Sequence, residues 1–246
     1  MNLLELNDLT IRYGGVTAVD GISVDVQEGA LFGLIGPNGA GKTTMVDAIT
    51  GMVRYTGSIV FAGQDLTGWP PHKRSHAGLV RTFQSLELFN ELTVRENLQT
   101  YAGMKHGHAA DAAVDEALEL MAVTWAADLY PSQLSHGQAR LVSVARGLAA
   151  KPRLLLLDEP AAGLDADESQ WLGQRLRALV DQGVVTVLLV DHDVDLIMNI
   201  CDRILVLDFG KEIGLGSPAE VRSNARVAKA YLGTDGSIDS NKEVVS

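Results

Sequence analysis

The chain has 246 residues, 46% of them hydrophobic and 21% charged, with a formal net charge of −11. That length serves one large domain or two small ones and allows a sizeable buried core. The acid excess argues against a nucleic-acid partner, which favours a basic face, and no apolar run approaches the roughly 20 residues that cross a bilayer. Met1 to Leu9 lacks the basic and apolar regions of a secretory signal. Cys201, the single cysteine, allows no internal disulfide. Beside Ile200 and Ile204 it reads as a buried thiol in a reducing compartment, so the expected place is the cytoplasm.

Leu4, Leu6, Leu9 and Ile11, then Ile22, Val24 and Val26, alternate with polar residues and predict two half-buried antiparallel strands. Tyr13-Gly14-Gly15 breaks between them. An apolar run, Leu31 to Ile35, then leads into Gly36-Pro37-Asn38-Gly39-Ala40-Gly41-Lys42-Thr43-Thr44 and an amphipathic stretch to Thr50. This is strand, glycine loop, helix, with the spacing of a phosphate-binding loop. Gly36, Gly39 and Gly41 allow backbone conformations and close approaches that a Cβ forbids. Successive N–H groups from Gly36 to Thr44 can then point inward as an anion nest, aided by the positive end of the helix. Lys42 offers an ammonium to terminal phosphates and Thr43 a hydroxyl to Mg²⁺. A glycine-rich turn that happens to contain Lys-Thr explains neither the strand before nor the helix after.

Further along, Ser58 to Gly63 reads as a short strand, Pro70-Pro71 as a loop, and Leu79 to Phe83 as a strand ending at Gln84. The pattern is helical from Thr93 to about Ala122, with a break near 103–107. Ser135 is placed to cap a helix running to about Ala149. Leu154 to Leu157 is a continuous apolar run, as in a strand buried on both faces. A helix over 167–182, a strand over 184–190 and a helix through Ile200 follow. Late strands are expected at 203–207 and 212–215, and terminal helices at 217–232. Residues 233–246 are polar and small and are expected to be disordered. Strand and helix alternation around the loop predicts an α/β fold with a parallel-sheet core.

Asp158 ends a buried strand, where open α/β sheets bind ligands and where phosphate-loop enzymes carry a Mg²⁺ carboxylate. Glu159 beside it can orient or deprotonate an attacking water. An Asp-Glu pair after a strand is also a common solvated turn; its pairing with Lys42 favours the chemical reading.

Leu134-Ser135-His136-Gly137-Gln138, with Gln84, Asp165 and His192 in order, resembles the ATPase subunit of ABC transporters over residues 1 to 233. The resemblance implies one cassette with an N-terminal antiparallel β subdomain and an inserted helical subdomain over about 85–150. It implies two subunits head to tail around two ATP, the phosphate loop of one facing Ser135, Gly137 and Gln138 of the other. It also implies that Gln84 senses Mg²⁺ and the attacking water, that His192 contacts the terminal phosphate, and that Asp165 works across the dimer. Tyr13 matches the aromatic that stacks on adenine, although a strand-end tyrosine also packs on a sheet. Val19 reads better as core than as adenine wall. His136 replaces a glycine of the family pattern and either adds charge near phosphate or points harmlessly outward.

Arg81-Thr82-Phe83-Gln84, Leu92 to Leu98 and Ala230 to Gly233 resemble importers of branched-chain amino acids, close to those of urea and short-chain amides. The implied partners are membrane permease subunits, a second ATPase subunit, and a periplasmic or extracellular binding protein acting indirectly. The expected location is peripheral, on the cytoplasmic face of the membrane. Ser85 to Asn90, with Leu86, Leu88 and Phe89, is the candidate permease contact; a core role for the leucines stays open. The alternative function is a soluble ABC ATPase acting on nucleic acid or the ribosome, which usually carries a second cassette or an insertion absent from this sequence.

Overall fold

The computed structural model describes residues 1–83, 85–102 and 108–232. The two N-terminal alternations form β1 (Asn2–Tyr13) and β2 (Val16–Gln27), antiparallel, with Leu4 opposite Val26 and Leu6 opposite Val24. β3 (Leu31–Ile35), buried throughout, leads through the glycine loop into α1 (Lys42–Thr50). β4 (Thr56–Phe61) returns to pair with β1, and β5 (Gln64–Asp65) adds a short edge to this antiparallel sheet, ordered β2-β1-β4-β5.

Pro70-Pro71 is not simply a loop. Pro71 opens α2 (Pro71–His76), since its fixed φ and missing N–H suit a first helical position. Arg74 of this short helix is buried and donates to the carbonyls of Ala48, Ile49, Leu66 and Trp69. It thereby closes the C-terminal end of α1, where a cation is favoured.

β6 (Leu79–Thr82) precedes a layer in which α3 (Val94–Ala102), α4 (His108–Leu120) and α5 (His136–Ala149) pack on one another. The expected break at 103–107, Gln84 and the tail 233–246 lie outside the described residues. Then come β7 (Leu154–Asp158), α6 (Ala166–Asp181) and β8 (Thr186–Val190). β8 starts later than the apolar run because the N–H groups of Gly183 and Val184 turn back to Val180 and Leu179 at the end of α6. α7 (Val194–Ile200), β9 (Arg203–Asp208), β10 (Lys211–Gly216), α8 (Pro218–Ser223) and α9 (Ala225–Leu232) complete the described chain.

The second sheet runs β10-β9-β3-β8-β7-β6, parallel except for β10, which is antiparallel to β9. Its strands serve two cores. Phe32, Leu34, Leu154, Leu156, Leu188 and Val190 pack with α1 and the antiparallel sheet. Leu31, Ile35, Leu155, Leu157, Val187 and Leu189 pack with the helices on the opposite face. Burial of both alternating sets is what makes these strands continuous apolar runs. Because β3, β8, β7 and β6 are parallel neighbours, the glycine loop, Asp191-His192, Asp158-Glu159 and the segment toward Gln84 emerge at one edge.

Candidate active site

The glycine loop is fixed by close approach. A Cβ on Gly36 would stand 2.4 Å from the carbonyl oxygen of Leu207, and one on Gly41, at φ +102°, 2.4 Å from that of Ala18. Ala40 is buried and accepts from the N–H of Gly210, while Asn38 and Gly39 form the exposed tip. Gly41 caps α1 without a side chain, so the first N–H groups of the helix face outward as an anion site. Lys42 Nζ folds back to donate to the carbonyls of Gly36 at 2.6 Å and Pro37 at 3.2 Å. Burial lowers its pKa, opposed by the nearby carboxylates of Glu159, Asp158 and Asp191. Thr43 is exposed and Thr44 half-buried.

The acidic cluster sits on the adjoining strands. Asp158, the last residue of β7, is buried and bonded at 2.7 Å to Arg81 Nη2, whose Nη1 reaches Asp47 on α1. Glu159 takes a left-handed φ of +50°, and its N–H donates to Val190 O at 2.7 Å. Such a conformation costs a non-glycine residue about 1–3 kcal/mol and is kept where surrounding structure dictates it. His192 is exposed, with Nδ1 3.9 Å from Glu159 Oε2 and 3.8 Å from Asp191 Oδ1. Asp191 is wholly buried and accepts N–H groups from Ala161, His192 and Asp193. Burial pushes its carboxyl pKa up, against the pull of those N–H groups. Arg140 on α5 donates to Ala162 O at 3.3 Å; burial lowers its pKa, while Glu159 and Asp191 raise it.

Ser135 caps α5 by accepting from Gln138 N, and Gln138 Oε1 accepts from Ser135 N, a reciprocal capping box. Gly137 packs closely on α6: a Cβ on it would stand 2.5 Å from Glu168 Oε1 and would displace that side chain. His136 is exposed, and its ring lies along Gly163, whose added Cβ would stand 2.8 Å from His136 Cδ2. Asp165 caps α6 by accepting from Glu168 N at 2.8 Å. The α5 start therefore rests on the 163–168 segment, and among the described residues no hydrogen bond joins Ser135, Gly137 or Gln138 to the glycine loop. Tyr13 is half exposed at the end of β1, whereas Val19 is core. Gln84 lies outside the described residues.

Ser85 to Asn90 divides. Leu88 packs on the helical core, Leu86 is half-buried, and Phe89 is 51% exposed. Two buried polar side chains hold this loop. Asn97 bonds the backbone of Phe89, Leu92 and Thr93, and Arg146 of α5 donates to the carbonyls of Leu86 and Glu87.

Arg81, Asp47, Arg140 and Asp191 were not singled out from sequence as site residues. Arg81 carried a signal nonetheless, since a cation between Val80 and Thr82 in a buried strand demands a partner. Among the described residues no group of three or more His, Cys, Asp or Glu could hold a metal ion. Thr43 and Asp158 offer a hydroxyl and a carboxylate, the sparse hard-oxygen set that suits Mg²⁺ held jointly by protein and phosphates.

The ABC transporter family pattern matches residues 19–162, and that of the branched-chain amino acid ATP-binding cassette transporter matches residues 213–237. The chain is 39% identical over 249 residues to the high-affinity branched-chain amino acid transport ATP-binding protein BraF of Pseudomonas aeruginosa, covering 94% of this chain and 98% of BraF. It is 37% identical over 250 residues to LivG of Escherichia coli K12, a protein of the same description, with the same coverage. The ADP conformation of MJ1267, an ATP-binding cassette of an ABC transporter, superposes with a TM-score of 0.87 at 28% identity, covering 95% of this chain and 99% of that one. A nucleotide-free cassette from an ABC transporter gives 0.85 at 27% identity, covering 95% of this chain and 100% of that one. Alike in sequence over almost its whole length and alike in fold, this chain belongs to the ATP-binding, ATP-hydrolysing cassettes of the ABC transporter family.

Proposed function

We propose that this cassette powers a membrane importer of branched-chain amino acids, working peripherally at the cytoplasmic face of the membrane. The observation that carries the chemistry is the convergence of Lys42, Asp158, Glu159 and His192 at one sheet edge. Likeness to BraF and LivG over nearly the whole chain supports the solute class. Among the described residues no helix is long and apolar enough to cross a membrane, so the pathway falls to permease subunits.

The loop residues Gly36, Asn38, Gly39, Ala40, Gly41, Lys42, Thr43 and Thr44 hold the phosphates of ATP, and Tyr13 stacks on adenine. Thr43 and Asp158 hold Mg²⁺, with Gln84 nearby; the cation, when bound, neutralises phosphate charge. Glu159 accepts a proton from the attacking water, and His192 steadies Glu159 and the terminal phosphate. Binding energy and fixed charge supply most of the rate. Ser135, Gly137, Gln138 and Asp165 serve the site of a second cassette set head to tail. Residues 1–233 form one unit, the helical layer over about 85–150 being its subdomain. Phe89 with Leu86 meets the permease, and an outer binding protein supplies the solute.

Reconstitution with its permease subunits and binding protein tests this. ATP-driven uptake of leucine, isoleucine or valine, abolished by Lys42→Ala, is expected. Uptake of urea or short-chain amides alone would reassign the solute class, and absence of a membrane complex would remove the importer reading.

A further inference from the structure

We propose that Arg81 is a positioning residue for the divalent-cation site, holding the Asp158 carboxylate and the helix that carries Thr43 in fixed relation. One guanidinium makes both contacts. Nη2 donates to Asp158 Oδ2 at 2.7 Å and Nη1 to Asp47 Oδ1 at 2.5 Å. Asp47 lies one turn beyond Thr43 on α1, on the same face. The rigid arginine fork thus spans the two elements whose side chains are the candidate cation ligands. Arg81 also stands on β6, the strand leading to Gln84.

Stability alone gives no reason for this arrangement. The Arg81 and Asp158 side chains are only 7% and 6% exposed, and a buried ion pair is often no more stable than an apolar pair of similar size. Arg81 Nε is buried and has no hydrogen-bond partner among the described residues, which costs the fold further free energy. The guanidinium is instead wedged, its Cζ 5.0 Å from the centre of the Phe83 ring.

A cation beside a metal-binding carboxylate repels the metal unless its own charge is met, and Asp47 meets it. One positive and two negative charges leave the triad at −1, so the Asp158 charge stays available to a divalent ion while its direction is set. Outer partners of metal ligands typically change affinity about 10–100-fold when removed.

This inference rests on Thr43 and Asp158 being cation ligands, and the test separates the two ideas. Mn²⁺ binding to the purified subunit with a non-hydrolysable ATP analogue is followed by the electron paramagnetic resonance of free Mn²⁺, beside metal-free nucleotide binding in EDTA. Asp158→Asn, Arg81→Lys and Asp47→Asn should each weaken Mn²⁺ binding about tenfold or more, while nucleotide affinity in EDTA stays within about twofold. Arg81→Lys keeps the charge and loses the fork; Asp47→Asn keeps the fork and loses its counter-charge. Unchanged binding in Asp158→Asn overturns the ligand assignment itself. Loss in Asp158→Asn with unchanged or tighter binding in Arg81→Lys overturns the positioning role alone. Should Arg81→Lys fail to fold, the half-buried Asp47 decides, and normal Mn²⁺ binding in Asp47→Asn overturns the proposal.

Discussion

His192 Nδ1 lies 3.9 Å from Glu159 Oε2, and the backbone around each is tied to one carboxylate. Asp191 Oδ2 accepts the N–H of Ala161, two residues past Glu159, and Oδ1 accepts that of His192. The proposed base and its supporting imidazole are thus registered through one buried side chain, whose carboxylate also lies 3.8 Å from the imidazole Nδ1.

Glu159→Gln keeps the shape and removes the basicity. ATP binding should persist while hydrolysis falls about 10²–10⁴-fold, the usual worth of a general base. Closed dimers holding ATP should then accumulate on a sizing column. Near-normal turnover would remove Glu159 from the role. Lys42→Ala should lose ATP binding and trap no dimer.

Ser135 caps its helix and is proposed to face the nucleotide of a partner. Loss of the cap in Ser135→Ala should cost about 0.5–2 kcal/mol of stability, read by denaturant melting. Ser135→Arg should bind ATP through its own intact loop yet fail to hydrolyse it. Mixed with Lys42→Ala, once subunit exchange is established, it should regain part of the activity, because both defects can fall on one composite site. An inert mixture despite exchange contradicts the head-to-tail arrangement or shows that both sites must be intact.

Phe89 is 51% exposed, so Phe89→Glu should melt within a few degrees of the parent. It should hydrolyse ATP alone and lose the permease complex, since burying such a side chain is worth about 1.5–3 kcal/mol. Normal assembly and uptake would exclude this loop as the contact.

Burial pushes the Cys201 thiol pKa up, with the Asp202 carboxylate adding to the effect. The folded value lies above the unfolded one, so this contribution to stability is complete below an unfolded pKa of about 8.5 and is lost as pH rises beyond it. Stability should therefore fall above that pH by up to about 1.4 kcal/mol per unit more in the parent than in Cys201→Ala. Iodoacetamide should modify the native thiol slowly and the urea-unfolded thiol fast. Equal rates would place Cys201 at the surface.

The strands, the glycine loop and the Ser135 cap were legible because each is a local pattern: a run, a spacing, a residue three places before its partner. Pro71 misled because Pro-Pro marks a turn and a helix start alike, and the deciding contacts of Arg74 come from α1 and the β5 region. The partners of Arg81 and the bond from Ala161 N–H to Asp191 join separate strands and helices, so the neighbouring residues do not say which groups meet. Within Ser85 to Asn90 the core reading holds for Leu88, which packs on the helical core, while Phe89 is exposed and its contact with a permease stays a proposal.

Two chain crossings join the helical layer to the sheet, one between β6 and α3 and one at 150–153, where Lys151 takes a left-handed φ of +50°, and α5 packs against β6 and β7. Arg146, rooted in α5, grips the first crossing at Leu86 and Glu87. The backbone leading to Phe89 is therefore moored to the helical layer, so a shift of α5 is carried to that exposed side chain, while Ala40 of the glycine loop shares a separate apolar core with α1.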